Sequence, residues 1–169
     1  MIRHAGLLAL RQDGCWAGAL IEGPSGAGKS DLALRALDAG FRLVSDDRTV
    51  VWASGGRLFG RAPDPLVGLI EGRGVGILAE SPLWLAEIRL IVVCVAEDSE
   101  VERMPEPRLE ILDGIGVPRL ELRSLEVSAP AKMRRAMQHL GRGAQQAYQA
   151  PLLAARTAQG PGIPLRPRL

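Results

Sequence analysis

Residues 23–30 read Gly-Pro-Ser-Gly-Ala-Gly-Lys-Ser, and this octapeptide restricts the possible fold more than any other stretch of the chain. Its pattern, G-x-x-x-x-G-K-[ST], is that of a phosphate-binding loop. Glycines at 23, 26 and 28 permit positive φ, so the backbone can curl around an anion with successive N–H groups pointing inward. Lys29 is placed to reach the outer phosphates and Ser30 to offer a hydroxyl to Mg²⁺. Gly23, Pro24, Ser25, Gly26, Ala27, Gly28, Lys29 and Ser30 are therefore the candidate nucleotide-binding set. Such a loop works only between a strand and a helix that turns its positive end toward the phosphates. The flanks supply both: residues 17–22 are a short apolar run suited to a buried strand, and 29–38 is helical, with Ala33, Ala36 and Leu37 on one face.

A chain of 169 residues is long enough for one domain with a sizeable core and too short for a nucleotide domain plus a separate substrate domain. We expect a single catalytic domain over residues 1–150 and a proline-rich, poorly ordered tail over 151–169. Hydrophobic residues make up 47% and aromatics 4%, which predicts an aliphatic core. A net charge of +2, from 21 basic and 19 acidic residues, gives no electrostatic case for nucleic acid. The basic cluster Lys132, Arg134, Arg135 and Arg142 reads as a solvated helix face. Cys15 and Cys94 lack metal-ligand spacing, and Cys94 sits inside an apolar strand as a small core residue. No stretch approaches the roughly 20 apolar residues needed to span a bilayer, and the N-terminal apolar run is too short for a signal peptide. The expectation is a cytoplasmic protein with no membrane or nucleic-acid partner.

The pattern predicts strands at 7–10 and 17–22, joined by a polar turn at 11–14. A glycine stop at Gly40 follows the helix, then come strands at 41–45, 49–53 and 57–60. Residues 61–82, rich in glycine and proline, are expected to be loop. The surest strand is 87–95. Residues 101–122 read as short strands between proline-bounded turns, and a helix capped by Ser128, with Pro130 in its first turn, starts after them. Its methionines, Met133 and Met137, recur at core spacing, and Gly141 and Gly143 end it.

Phosphoryl transfer needs more than the loop, because something must face the metal from the other side and something must act on the acceptor. Asp46 and Asp47 end the strand that follows the loop helix, at the strand end where ligands bind in such sheets. Two adjacent carboxylates can divide labour, one near the metal and one as general base. Glu71 is a third acidic candidate on glycine-rich backbone, with Arg73 able to offset phosphate charge.

Together these segments resemble the HPr kinase/phosphorylases: the loop followed by Asp-Leu-Ala-Leu, then Arg42-Leu-Val-Ser-Asp-Asp-Arg48, then Ile70-Glu-Gly-Arg-Gly-Val-Gly-Ile77. The resemblance runs from about residue 4 to 140 and is most specific at the second and third segments. It implies an α/β fold, a P-loop-containing nucleotide-binding domain with a central mixed sheet and flanking helices, of the HPr kinase catalytic-domain type (PEP carboxykinase-like). It implies an ATP- and Mg²⁺-dependent protein-serine kinase acting on the phosphocarrier HPr of a phosphotransferase system. By the same resemblance, Lys29 contacts phosphates, Ser30 and Glu71 hold Mg²⁺, and Asp47 is the base toward the serine, acting as acid in the reverse phosphorolysis. His4 corresponds to the family's histidine and Arg103 to its arginine after the buried strand. The family's hexamers imply a homo-oligomer.

The chain departs from the family pattern by resembling its short, alphaproteobacterial-type form without an N-terminal domain, and by lacking the Pro-Gly-Arg-Asn type loop tied to dephosphorylation. Kinase activity is thus the firmer expectation. Two other readings stay open, a small-molecule kinase and a nucleotide sensor without transfer. The first would need an arginine-bearing lid, and the second could dispense with Asp46, Asp47 and Glu71.

Overall fold

The computed structural model of the protein describes residues 1–140. The elements run β1 (Ile2–Arg3), β2 (Gly6–Gln12), β3 (Cys15–Glu22), α1 (Lys29–Asp38), β4 (Arg42–Ser45), β5 (Thr49–Ser54), β6 (Arg57–Arg61), β7 (Leu69–Gly72), β8 (Gly76–Ala79), β9 (Ala86–Val95), β10 (Arg108–Leu112), β11 (Ile115–Arg123) and α2 (Ala129–His139). Nine strands form one mixed sheet in the order β1-β5-β6-β9-β3-β2-β4, with β11 beside β9 and β10 beyond it. β9 runs parallel to both β3 and β11, while its first residues pair antiparallel with β6. The expected α/β architecture around a mixed sheet is present.

Alternation along the strands divides the core in two. One face carries Leu8, Leu10, Ala17, Ala19, Ile21, Leu90, Val92 and Cys94, packed against Leu32, Ala33 and Ala36 of α1 and Met133 and Met137 of α2. Both helices thus cover the same face. The other face, with Leu7, Ala9, Leu20 and Ile91, is closed by the curl of the sheet, which brings Val51, Leu58, Leu112 and Val117 over it. Ile88 and Leu90 lie two apart yet face opposite cores, because the β3–β9 register slips by one residue there.

Three hairpins turn on two residues each, Asp13-Gly14, Gly55-Gly56 and Asp113-Gly114, all six at positive φ. That is the geometry whose twist matches the flanking strands. The first turn is accordingly tighter than the 11–14 segment expected, since β2 and β3 pair out to Gln12 and Cys15.

Other expectations need correction. Residues 69–78 are not loop: β7 and β8 form a two-stranded antiparallel sheet of their own. Their glycines stand at the hairpin's end, and Ile70 and Leu78 pack into the core beneath α1. The proline-rich region holds one long hairpin, β10–β11, in place of several short strands. Pro118 is tolerated in β11 because it pairs with Leu109 of β10 just before the parallel pairing with β9 begins at Arg119. Ser128 occupies the N-cap of α2 but makes no cap hydrogen bond, its hydroxyl facing the Glu126 carboxylate at 3.5 Å. Lys132 and Arg135 are exposed, as a solvated face requires, whereas Arg134 lies over the Phe41 ring at 5.7 Å. Arg142, Gly141, Gly143 and the 151–169 tail lie outside the described residues.

Candidate active site

The loop emerges from β3 at the centre of the sheet. Gly23 has φ 144°, and a Cβ there would come within 2.6 Å of the Cys94 carbonyl oxygen. Only glycine lets the chain leave β3 so close to β9. Gly26 and Gly28 take φ 81° and 77°, and the turn is closed by the Ala27 amide donating to the Pro24 carbonyl at 3.2 Å. Gly28 is the N-cap of α1 and no side chain caps the helix, so the first-turn amides face the cavity free to bind an anion. Lys29 Nζ donates to the carbonyls of Gly23 and Pro24, at 3.0 Å each, which folds its ammonium back across the loop.

The acidic side is assembled from three distant segments. Asp46 follows β4, and its carboxylate accepts from Ser30 Oγ at 3.2 Å and from the Glu71 backbone amide at 3.0 Å. One side chain thus ties α1 to the β7–β8 hairpin. Burial pushes the Asp46 carboxyl above its ordinary range, against the opposing pull of the Glu71 amide and the Ser30 hydroxyl. Asp47 is the apex of a γ-turn, with φ 62° and the Arg48 amide donating to the Asp46 carbonyl at 2.7 Å. This positive-φ form of the turn is rare and strained, and such strain collects at functional positions. Its feet are pinned: Ser45 Oγ and Thr49 Oγ1 lie 2.5 Å apart, and Thr49 Oγ1 donates to the Ala5 carbonyl at 2.7 Å. The same contact fixes residue 4, and His4 Nδ1 sits 3.3 Å from Asp47 Oδ1.

These parts share one cavity of about 460 Å³, lined among others by His4, Gly26, Lys29, Ser30, Asp47 and Glu71. Arg73, at the hairpin tip, lines it as well, together with Ser25 and Gly28. Pro24 contributes its carbonyl, and Ala27 packs against the core. Asp46 lies behind Ser30 and Glu71. Among the described residues no group of three or more His, Cys, Asp or Glu could by itself hold a metal ion. Mg²⁺ does not require one, since it usually keeps several waters and takes one or two carboxylates plus substrate phosphates. The oxygens of Ser30 and Glu71 in the cavity fit that demand, with Asp46 behind them accepting from the Ser30 hydroxyl.

The sequence profile of the HPr Serine kinase C-terminal domain matches residues 4–93. The chain belongs to that family. Over 116 residues it is 38% identical to an HPr kinase/phosphorylase of Streptococcus thermophilus, an alignment covering 62% of this chain and 38% of that protein. An HPr kinase/phosphorylase of Clostridium beijerinckii is 45% identical over 67 residues, 40% of this chain and 22% of the relative. The chain therefore spans well under half the length of these relatives. Its fold is similar to that of the solved HPr(Ser) kinase/phosphatase from Coxiella burnetii, with 26% identity and a TM-score of 0.67, covering 82% of this chain and 98% of that one.

The stretch matching the HPr serine kinase family contains His4, the loop, both aspartates, Glu71 and Arg73, and the fold brings all of them to one cleft. Arg103 is the exception. It is exposed on the segment between β9 and β10 and does not line the cavity. Two residues went unrecognised in the sequence. Ser124 Oγ donates to the Ala27 carbonyl, and Arg35 donates to the carbonyls of Ser124 and Glu126 and to Asp31. Only the spacing of Asp31 and Arg35, one helical turn apart, hinted at either.

Proposed function

We propose that this chain is the catalytic domain, over residues 1–150, of an ATP- and Mg²⁺-dependent kinase that phosphorylates a serine of an HPr-type phosphocarrier protein. The observation that carries the reading is the exposed Asp47 carboxylate, held on a strained turn in the same cavity as Lys29, Ser30 and the uncapped start of α1. A sensor would need the loop alone, and the acidic set would then have no work to do.

The division of labour follows from the positions. The loop amides and Lys29 bind the β- and γ-phosphates, Lys29 exchanging its loop carbonyls for phosphate oxygens. Ser30 and Glu71 would hold Mg²⁺, which supplies charge neutralisation on the phosphates, and Asp46 would orient the Ser30 hydroxyl from behind. Asp47, about half exposed, takes the proton of the incoming serine hydroxyl as its oxygen bonds to the γ-phosphorus and the bond to the β-phosphate oxygen breaks, releasing ADP. His4 steadies the Asp47 carboxylate, and Arg73 offsets charge at the hairpin tip. In the reverse direction, phosphate attacks phosphoserine and the protonated Asp47 returns its proton to the leaving serine oxygen; the names of the relatives, kinase/phosphorylase and kinase/phosphatase, favour this second activity.

A cytoplasmic protein acting as a homo-oligomer, without nucleic-acid or membrane partners, accords with this function; no helix among the described residues is long and apolar enough to cross a membrane. The test is transfer of radiolabelled γ-phosphate from ATP to a purified HPr-type carrier with Mg²⁺, set beside a carrier whose acceptor serine is replaced by alanine. Label on the serine-bearing carrier alone supports the kinase. Tight ATP binding with no label on either carrier would point to a sensor or another acceptor.

A further inference from the structure

We propose that residues 124–127, which join β11 to α2, form the shelf on which the base and sugar of a nucleoside triphosphate rest, with Leu125 as its apolar surface. The inference builds on the nucleotide reading above and concerns the end of the cavity opposite the carboxylates.

Sheet order sets the direction. β3, which delivers the loop, lies between β2 and β9; beyond β2 comes β4 with Asp46 and Asp47 after it, and beyond β9 comes β11 with Ser124 after it. The carboxylates and the Ser124–Leu125 step thus flank the loop from opposite sides. A phosphate chain lying along the loop with its terminal phosphoryl toward Asp47 directs its other end at Leu125.

The shelf is fastened to the loop and its helix, and to little else near the cleft. Ser124 Oγ donates to the Ala27 carbonyl. Arg35 of α1 donates to the Ser124 carbonyl and, at 3.1 Å, to the Glu126 carbonyl, while its Nε is held by Asp31 at 2.8 Å. A Cβ on residue 28 would stand 2.8 Å from both Leu125 Cδ2 and Ser124 Oγ, so glycine there is what allows the leucine to lie against the phosphate site. Leu125 lines the same cavity as Gly26, Gly28 and Lys29. It is 52% exposed, an apolar side chain shown to solvent beside a polar site.

The chemistry of the segment suits the face of a base. Its polar side chains are already engaged, Ser124 on the loop and Glu126 with Lys132 and, at 3.7 Å, Arg123. What remains toward the cavity is aliphatic surface, which packs on a flat aromatic ring through dispersion and water exclusion. Arg35 is a positioning residue in this arrangement, acting through the backbone of 124 and 126.

The test compares two probes on the full chain by calorimetry with Mg²⁺: ATP, and inorganic tripolyphosphate, which has the phosphates without base or sugar. Leu125→Asn, polar but uncharged so that it adds no repulsion toward the phosphates, is expected to weaken ATP on the order of tenfold and to leave tripolyphosphate unchanged, with thermal stability unaltered because the side chain is half exposed. Leu125→Ala should fall between. Arg35→Lys, which keeps the charge but loses the forked donor, should weaken ATP and spare tripolyphosphate. Equal losses for both probes would mean that the segment only supports the loop, and no loss for either would place the base elsewhere; each result overturns the shelf while leaving the kinase reading intact. If the unaltered chain bound neither probe, the nucleotide reading would fall and the shelf with it.

Discussion

The two walls of the cleft are built in opposite ways. The phosphate wall is one octapeptide held between β3 and α1, and in the proposed function its backbone does the binding. The acidic wall is gathered from residues 4, 46, 47 and 71, delivered by the strand end before β2, the turn after β4 and a separate hairpin. The contiguous wall is specified mainly by its own short segment, whereas the assembled wall exists only when the whole sheet is in register. The two should therefore respond differently to damage, and the contrast can be broken or sharpened by substitution.

The largest effect belongs to Lys29→Ala, which removes the loop's cation. Serine phosphorylation should fall by about 10⁴-fold, with ATP affinity falling too, as read by label transfer and calorimetry. Asp46→Ala comes next, because it cuts the one tie between Ser30 and the Glu71 amide. Transfer should drop about a hundredfold, and the Mg²⁺ concentration needed for half-maximal activity should rise; unchanged Mg²⁺ dependence would show that the two walls are independent. Gly23→Ala should cost about 1–3 kcal/mol of folding stability in denaturant titration, since its Cβ would run into the Cys94 carbonyl.

The smallest effect concerns Cys94, directly beneath the loop. Burial pushes its thiol from 9.0 to about 11. Because the folded value is the higher one, the stability this thiol contributes is complete below its unfolded value and is lost as pH rises from about 9 through 11. In thiol labelling at pH 8, the exposed Cys15 should react at once and Cys94 only on unfolding.

The same contrast explains what the sequence disclosed. The loop, α1 and β9 were legible because each is specified locally, by glycine placement or by an unbroken aliphatic run. Asp46 and Asp47 were legible as candidates, yet their different fates were not: a half-buried tie and a strained, exposed apex depend on Ser30, Glu71 and Ala5, which lie far off in sequence. The β7–β8 hairpin was misread because Gly72, Gly74 and Gly76 look like loop composition, although the alternation of Ile70 against Glu71 and Leu78 against Ile77 specifies a strand pair with one buried face. Arg103 was carried by resemblance alone, and in the structure it stands exposed outside the cavity. The shelf at Leu125 has no local signature, since it exists only through contacts from Arg35 and Ala27.

The claim on which the account turns is that binding and chemistry reside on separate walls, with Asp47 performing the chemistry. The most direct measurement is Asp47→Asn, assayed in parallel for ATP affinity by calorimetry and for label transfer to an HPr-type carrier. The account predicts transfer lowered by about a thousandfold with ATP affinity within about twofold of the unaltered chain. Full transfer by the variant, or a loss of ATP binding as large as the loss of transfer, would contradict it.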